Sequence, residues 1–167
     1  MSTFTALSLI LPAAVLSHVT EEFLYPGGFI EWYKQFRPAL ADGIKPGYIV
    51  WINALMVGAC ILPVYFGPEP RGGINVWYCV SAISAVNACF HIVGVFALKK
   101  YSPGVVTGVL FYIPLFAYGS WYLLSSDSLR PITAIILFAV AVGYHLVADR
   151  GHKAAARTDA NTSLSRR

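Results

Sequence analysis

Charge is scarce in this chain: 12 lysines and arginines and 8 aspartates and glutamates make up 12% of 167 residues, against 57% hydrophobic. That balance excludes a disordered chain or a nucleic-acid tail and does not suit an ordinary soluble domain. Cysteine is also sparse. Cys60, Cys79 and Cys89 sit inside apolar runs and form no CxxC pair, so there is no disulfide framework or zinc knuckle, and they read as small apolar filler. The chain contains no HExxH, no GxSxG and no phosphate-cradling glycine loop. On a helix Cys89 points roughly 160° away from His91, which leaves cysteine nucleophilic catalysis without its base. No internal repeat is visible.

What the chain does have is long apolar runs. Charge-free stretches cover Met1 to Ser17, Gly47 to Gly67, Gly72 to Leu98, Ser102 to Ser126 and Pro131 to Ala148. Each is near the ~20 residues that cross the hydrocarbon of a bilayer. They predict an all-α polytopic membrane bundle of five transmembrane helices over residues 1–148, running about Thr3–Tyr25, Gly47–Phe66, Ile74–Leu98, Val105–Leu124 and Pro131–Ala148. The first run has no basic n-region and no small-residue cleavage site, so it reads as a retained helix rather than a signal peptide.

Proline and glycine mark the breaks at Pro26-Gly27-Gly28, in the external turn Gly67 to Gly73 and in the basic turn Lys99 to Gly104. After the first break, Phe29, Trp32, Tyr33 and Phe36 recur at helical spacing beside polar Glu31, Lys34 and Arg37, which predicts a short interfacial helix. It reads either as an aromatic belt anchoring the first span or as a lid over a site beneath it. The polar tail from Asp149 to Arg167 (149–167) reads as disordered and cytoplasmic. Gly104 with Gly108, and Ala54 with Gly58, have the small-xxx-small spacing that permits close helix contact, here within the bundle.

The basic residues are placed asymmetrically. Lys34, Arg37, Lys45, Lys99, Lys100, Arg150, Lys153, Arg157, Arg166 and Arg167 follow odd-numbered spans, while Arg71 and Arg130 alone follow even-numbered ones. By the positive-inside rule the N-terminus is outside and the C-terminus in the cytoplasm. The formal charge of +4 then belongs among anionic headgroups, and no nucleic-acid partner is expected.

Ionisable groups at membrane depth cost ~2.5–3.5 kcal/mol each on insertion scales and face the bundle interior or water. Here they are few: His18, Glu21 and Glu22 near the end of the first span, His91 on the third and His145 on the fifth, joined by the carboxamides Asn53 and Asn87. His18 and Glu22 are four apart, as are Asn87 and His91, so each pair shares a helix face. The histidines lie two-thirds or more of the way along outside-to-inside spans, and Asn53 lies in the first third of a span running the other way. All therefore reach one level in the cytoplasmic half of the bilayer.

Imidazoles and carboxylates at one depth match a transition-metal site. His18, Glu21, Glu22, His91 and His145 are the candidate ligands, with Asn53 and Asn87 orienting them. Taken singly, each also suits a hydrogen bond to a neighbouring helix, or for the glutamates a pairing with Lys34 or Lys45. The spacing does not separate one ion from two. Nor does it say whether both glutamates reach the site, since adjacent residues diverge by ~100° on a helix.

The segment His18-Val19-Thr20-Glu21-Glu22, paired with Asn87-Ala88-Cys89-Phe90-His91, resembles the signature of the HXXEE family of bacterial integral membrane proteins. The resemblance implies a bacterial inner-membrane protein, an enzymatic role, and active-site functions for His18, Glu21, Glu22 and His91.

The leading expectation is a membrane metalloenzyme, with Glu21, Glu22 and His91 as catalytic groups, acting on a hydrophobic or lipid substrate that enters from the inner leaflet. Iron is favoured over zinc because mixed histidine and carboxylate ligands suit non-haem oxygen chemistry, which also implies an electron donor. A second reading is a metal-free isomerase or cyclase in which a desolvated glutamate protonates an alkene. Trp51, Trp77, Tyr112 and Trp121 would then stabilise a carbocation. A third is a small proton- or metal-coupled transporter, weakened by the lack of inverted repeats and of polar residues along the outer half of the spans.

Overall fold

Among the residues described in the computed structural model, 1–39, 46–68 and 72–147, every regular element is helical. α1 (Thr3–Phe23) opens on Ser2, whose hydroxyl accepts from the Thr5 backbone N–H, an N-cap that satisfies one of the first-turn donors. It stops before Pro26 and Gly27, as the break in the sequence predicts. α2 (Phe29–Phe36) is the short aromatic helix. α3 (Pro46–Phe66), α4 (Gly72–Leu98) and α5 (Val105–Ser125) follow, then α6 (Pro131–Val147). α5 winds as a π-helix over Gly108–Tyr112. Lys45, Arg71 and the tail 149–167 lie outside the described residues.

α1, α3, α4 and α5 are long and apolar enough to cross a membrane, and α6 is a shorter apolar helix. The expected five spans are thus met at full length by four. The distribution of polarity is that of a protein dissolved in lipid. Val50, Trp51, Leu55, Phe96, Trp121 and Ile135 are exposed, whereas Ser8, His18, Glu21, Glu22, Ser81, Ser84, His91 and Ser102 are buried.

α4 is the central helix, packing against α1, α2, α3 and α5. Its Trp77 is fully buried and donates its indole N–H to the Leu7 carbonyl of α1 at 3.0 Å. On the opposite side Gly119 of α5 leaves room for the ring: a Cβ there would sit 1.9 Å from Trp77 Cη2. Gly119→Ala is therefore expected to lower stability by about 1–3 kcal/mol through overpacking. A fall in the Tm of the purified protein checks it; an unchanged Tm would show that the α4–α5 contact adjusts freely. Close approach also accounts for Gly108, where a Cβ would meet Ala88 Cβ at 3.0 Å, so the Gly104/Gly108 pair serves packing inside the bundle. Ala54 and Gly58 instead face outward on α3.

Candidate functional site

The last turns of α1 deliver His18, Glu21 and Glu22, and α4 delivers Asn87 and His91. The turn before α5 brings in Ser102, Gly104 and Thr107. His18, Glu22 and His91 converge: one ligand atom from each lies within 4.8 Å of the others, and all three residues are buried. Glu22 Oε1 stands 3.1 Å from His91 Nε2 and 3.4 Å from His18 Nε2. The i, i+4 spacing on α1 is what aims His18 and Glu22 at the same point of α4.

Thr107 bears on where His18 carries its proton. Thr107 has one hydroxyl hydrogen, and it goes to Glu21 Oε2 at 2.5 Å. Toward His18 Nδ1, 3.0 Å away, the same oxygen can only accept, so His18 carries its proton on Nδ1. His18 thus turns its Nε2 toward Glu22. The Asn87 amide nitrogen lies 3.0 Å from His18 Nε2 and 3.3 Å from His91 Nε2. His91 Nδ1 is hydrogen-bonded to Ser102 Oγ at 2.9 Å. Two imidazole nitrogens and a carboxylate oxygen face one another, a set that could hold a metal ion.

Glu21 plays a different part. Its carboxylate accepts the backbone N–H groups of Val106 (3.0 Å) and Thr107 (2.7 Å), the Thr107 hydroxyl, and the Tyr101 hydroxyl at 2.6 Å. It therefore caps the N-terminus of α5 from another helix, supplying a negative charge where the first-turn donors lack intrahelical partners. Burial, together with the hydrogen bond and the charge of Glu21, pushes the Tyr101 phenol above its ordinary range and keeps it a donor. None of Glu21's bonds goes to Glu22 or to a histidine, and it reaches His18 only through Thr107, so of the two adjacent carboxylates only Glu22 joins the histidines directly.

Gly104 closes the site from below. Its φ of +100° suits glycine, and a Cβ there would sit 2.7 Å from His18 Cε1, 3.0 Å from His91 Cε1 and 3.1 Å from Glu22 Cγ. α2 closes it from the side: Trp32 stacks on His91 with ring centroids 5.5 Å apart and planes at 24°, and Phe29 lies 5.9 Å from the same ring. Gly94 of α4 leaves the space for Trp32. Tyr112, in the π-helical turn, lays its ring 4.5 Å from His18. Of the two readings of the aromatic helix, its packing is that of a cover over the site.

A cavity of about 480 Å³ reaches His18 and Glu22, and Asn53, Asn87 and His145 also line it. The depth expectation thus brought five groups to one cavity, but three of the five candidate ligands to one point. His145 Nε2 donates to the Ile83 carbonyl of α4 at 3.0 Å and stands apart from the cluster. Asn53 donates to Ile49 O of its own helix. Asn87 alone of the two carboxamides touches the histidines. Of the four aromatics weighed for a carbocation, Tyr112 lines the cavity; Trp77 is bonded to α1, and Trp51 and Trp121 are exposed away from it.

Ser102, Gly104 and Thr107 were missed as site residues. The signal was present in a hydroxyl and a glycine flanking Pro103, with a second hydroxyl three residues into the next helix, a pattern that usually means only a turn and a helix start.

No curated protein and no solved structure matches the chain. A family model described as "Protein of unknown function with HXXEE motif" matches residues 9–119, a span that contains His18, Glu22, His91 and all their supporting partners and ends before His145. The chain belongs to the HXXEE family, and its motif supplies a buried histidine and carboxylate from one face of α1 and a helix-capping carboxylate from the next.

Proposed function

We propose that this protein is an integral membrane metalloenzyme whose single ion is held by His18, Glu22 and His91, and that it oxidises a hydrophobic substrate. In this reading α6 is a fifth span, α2 lies in the cytoplasmic interface, and the chain sits in a bacterial inner membrane with its N-terminus outside. Support for the topology comes from the ten-to-two placement of basic residues.

The observation that carries the proposal is the aim of both imidazoles. Each ring is held at Nδ1 by a hydroxyl, so that each Nε2 faces Glu22 Oε1. This is the outer support that orients metal-binding histidines. Glu22 Oε1 lies 3.1 and 3.4 Å from the two nitrogens and the three ligand atoms lie within 4.8 Å of one another, so that a single ion would be held by all three as they draw in. Two histidines and one carboxylate with a cavity on the open side are the donor set of non-haem iron oxygenases, and also of zinc hydrolases, which come second.

Bound there, iron would supply oxygen activation for hydroxylation or desaturation, with reducing equivalents from an electron donor. The chain's own residues do the rest. Glu22 supplies the negative charge, Asn87 stands beside both Nε2 atoms, and Trp32, Phe29 and Tyr112 exclude water from the rings. The apolar cavity presents the substrate. A metal-free isomerase would retain Glu22; of the four aromatics weighed for it Tyr112 lines the cavity, beside Phe29, Tyr33, Phe36 and Phe90.

Metal analysis of untagged protein purified in mild detergent tests the proposal. Close to one iron per chain is the expected result. Protein that stays empty after reconstitution with iron, zinc and manganese would overturn it.

A further inference from the structure

The cavity that reaches the triad has a charged group of the opposite sign, which the reaction above does not use. Arg37 lines it, and among the described residues it is the only lysine or arginine that does. Its guanidinium carbon lies 5.2 Å from the centroid of the Phe36 ring and 5.7 Å from that of Phe90. Phe90 is in turn 5.7 Å from His91 by ring centroids. The guanidinium is therefore less than about 12 Å from the His91 ring, short of the ~15 Å of hydrocarbon in one leaflet. Between and around these groups the wall is largely apolar, with Ile49, Ile52, Met56, Ile83 and Val93.

We infer that the cavity binds an amphiphile with an anionic headgroup, Arg37 taking the head and the apolar wall the chain. Three features support this occupant. The two aromatic rings hold the guanidinium in place, and a planar guanidinium pairs with carboxylate or phosphate through two parallel bonds. Arg37 follows the last turn of α2, whose amphipathic pattern puts it at the level of lipid headgroups. A molecule anchored there runs its chain toward the hydrocarbon, so a chain carbon, not the head, arrives beside Glu22 and His18. The inference rests on the triad being the reaction centre, but the binding it asserts is measurable without any reaction.

The test uses full-length protein in phosphatidylcholine nanodiscs, with bound metal measured in parallel. Hexadecanoate, hexadecyl phosphate and hexadecanol share one chain and differ in the head. Either or both anions are expected to bind roughly tenfold or more tightly than the alcohol, and which one does identifies the head. Arg37→Gln should abolish that preference, and Arg37→Lys should keep part of it, with metal content unchanged in both. Hexadecanol binding as tightly as the anions, or an undiminished preference in a folded Arg37→Gln protein, would overturn the inference. Anion preference in a protein that takes up no metal would leave this inference standing and remove the metalloenzyme; a loaded protein without preference would do the reverse.

Discussion

Glu22→Ala and His91→Ala should each empty the metal centre, lowering the iron content of the purified protein from near one per chain to below about a tenth. Loss of an outer partner of a metal ligand typically costs 10–100-fold in affinity, and loss of a ligand itself costs more than about 100-fold. The helices should survive both changes. Glu22 is a buried carboxylate facing two imidazoles, and removing it relieves the cost of keeping a charge from water; His91 leaves a gap under Trp32 that costs packing but no backbone bond. Metal analysis beside a thermal melt separates the two effects. A Glu22→Ala protein that keeps its full complement of metal would remove Glu22 from the centre and with it the case for a three-residue site.

Glu21→Ala should behave in the opposite way, unfolding first and losing metal as a consequence. Four donors, two backbone N–H groups and two hydroxyls, converge on that carboxylate, and hydrogen bonds to charged groups contribute about 1.5–3 kcal/mol each. The loss of more than about 3 kcal/mol should appear as a large fall in Tm and as protease sensitivity at the turn before α5. Thr107→Val tests the link to His18. It keeps the shape but removes both the acceptor at His18 Nδ1 and one of the four donors to Glu21, so metal affinity should fall about 10–100-fold with a fall in Tm smaller than that of Glu21→Ala, and Thr107→Ser should restore both. Equal stability and equal metal affinity in Glu21→Ala would mean that the cap contributes nothing.

Much of the fold and part of the site could be read from the residues. The apolar runs located the helices to within a few residues because lipid demands length, and length is visible. The i, i+4 pairs His18/Glu22 and Asn87/His91 could be read because helical geometry fixes which residues share a face. Which of two adjacent glutamates turns inward could not. The ~100° between them guarantees that they diverge, but the choice is made by α5, whose Thr107 lies 86 residues from Glu21. His145 and Asn53 show the limit of a depth argument: it fixes the level of a residue and leaves its rotation about the helix free, and at that level each found a backbone carbonyl instead. Trp51, Trp77 and Trp121 failed as cavity residues for a related reason, since an aromatic ring in a membrane helix satisfies lipid, packing or a pocket equally well.

The long reach of these contacts bears on how the protein is made. α1 leaves the ribosome before α4 and α5, carrying a histidine and two carboxylates whose partners there lie 69 and 86 residues further along the chain. At ~5–20 residues per second those partners are roughly 3–17 s away. For that interval the polar end of α1 has no place in hydrocarbon. It has to wait at the headgroup level, hydrated, until the later helices arrive and draw it in. Assembly of the site and completion of membrane insertion are therefore the same event, and a chain truncated before α5 should leave its first helix riding high in the bilayer.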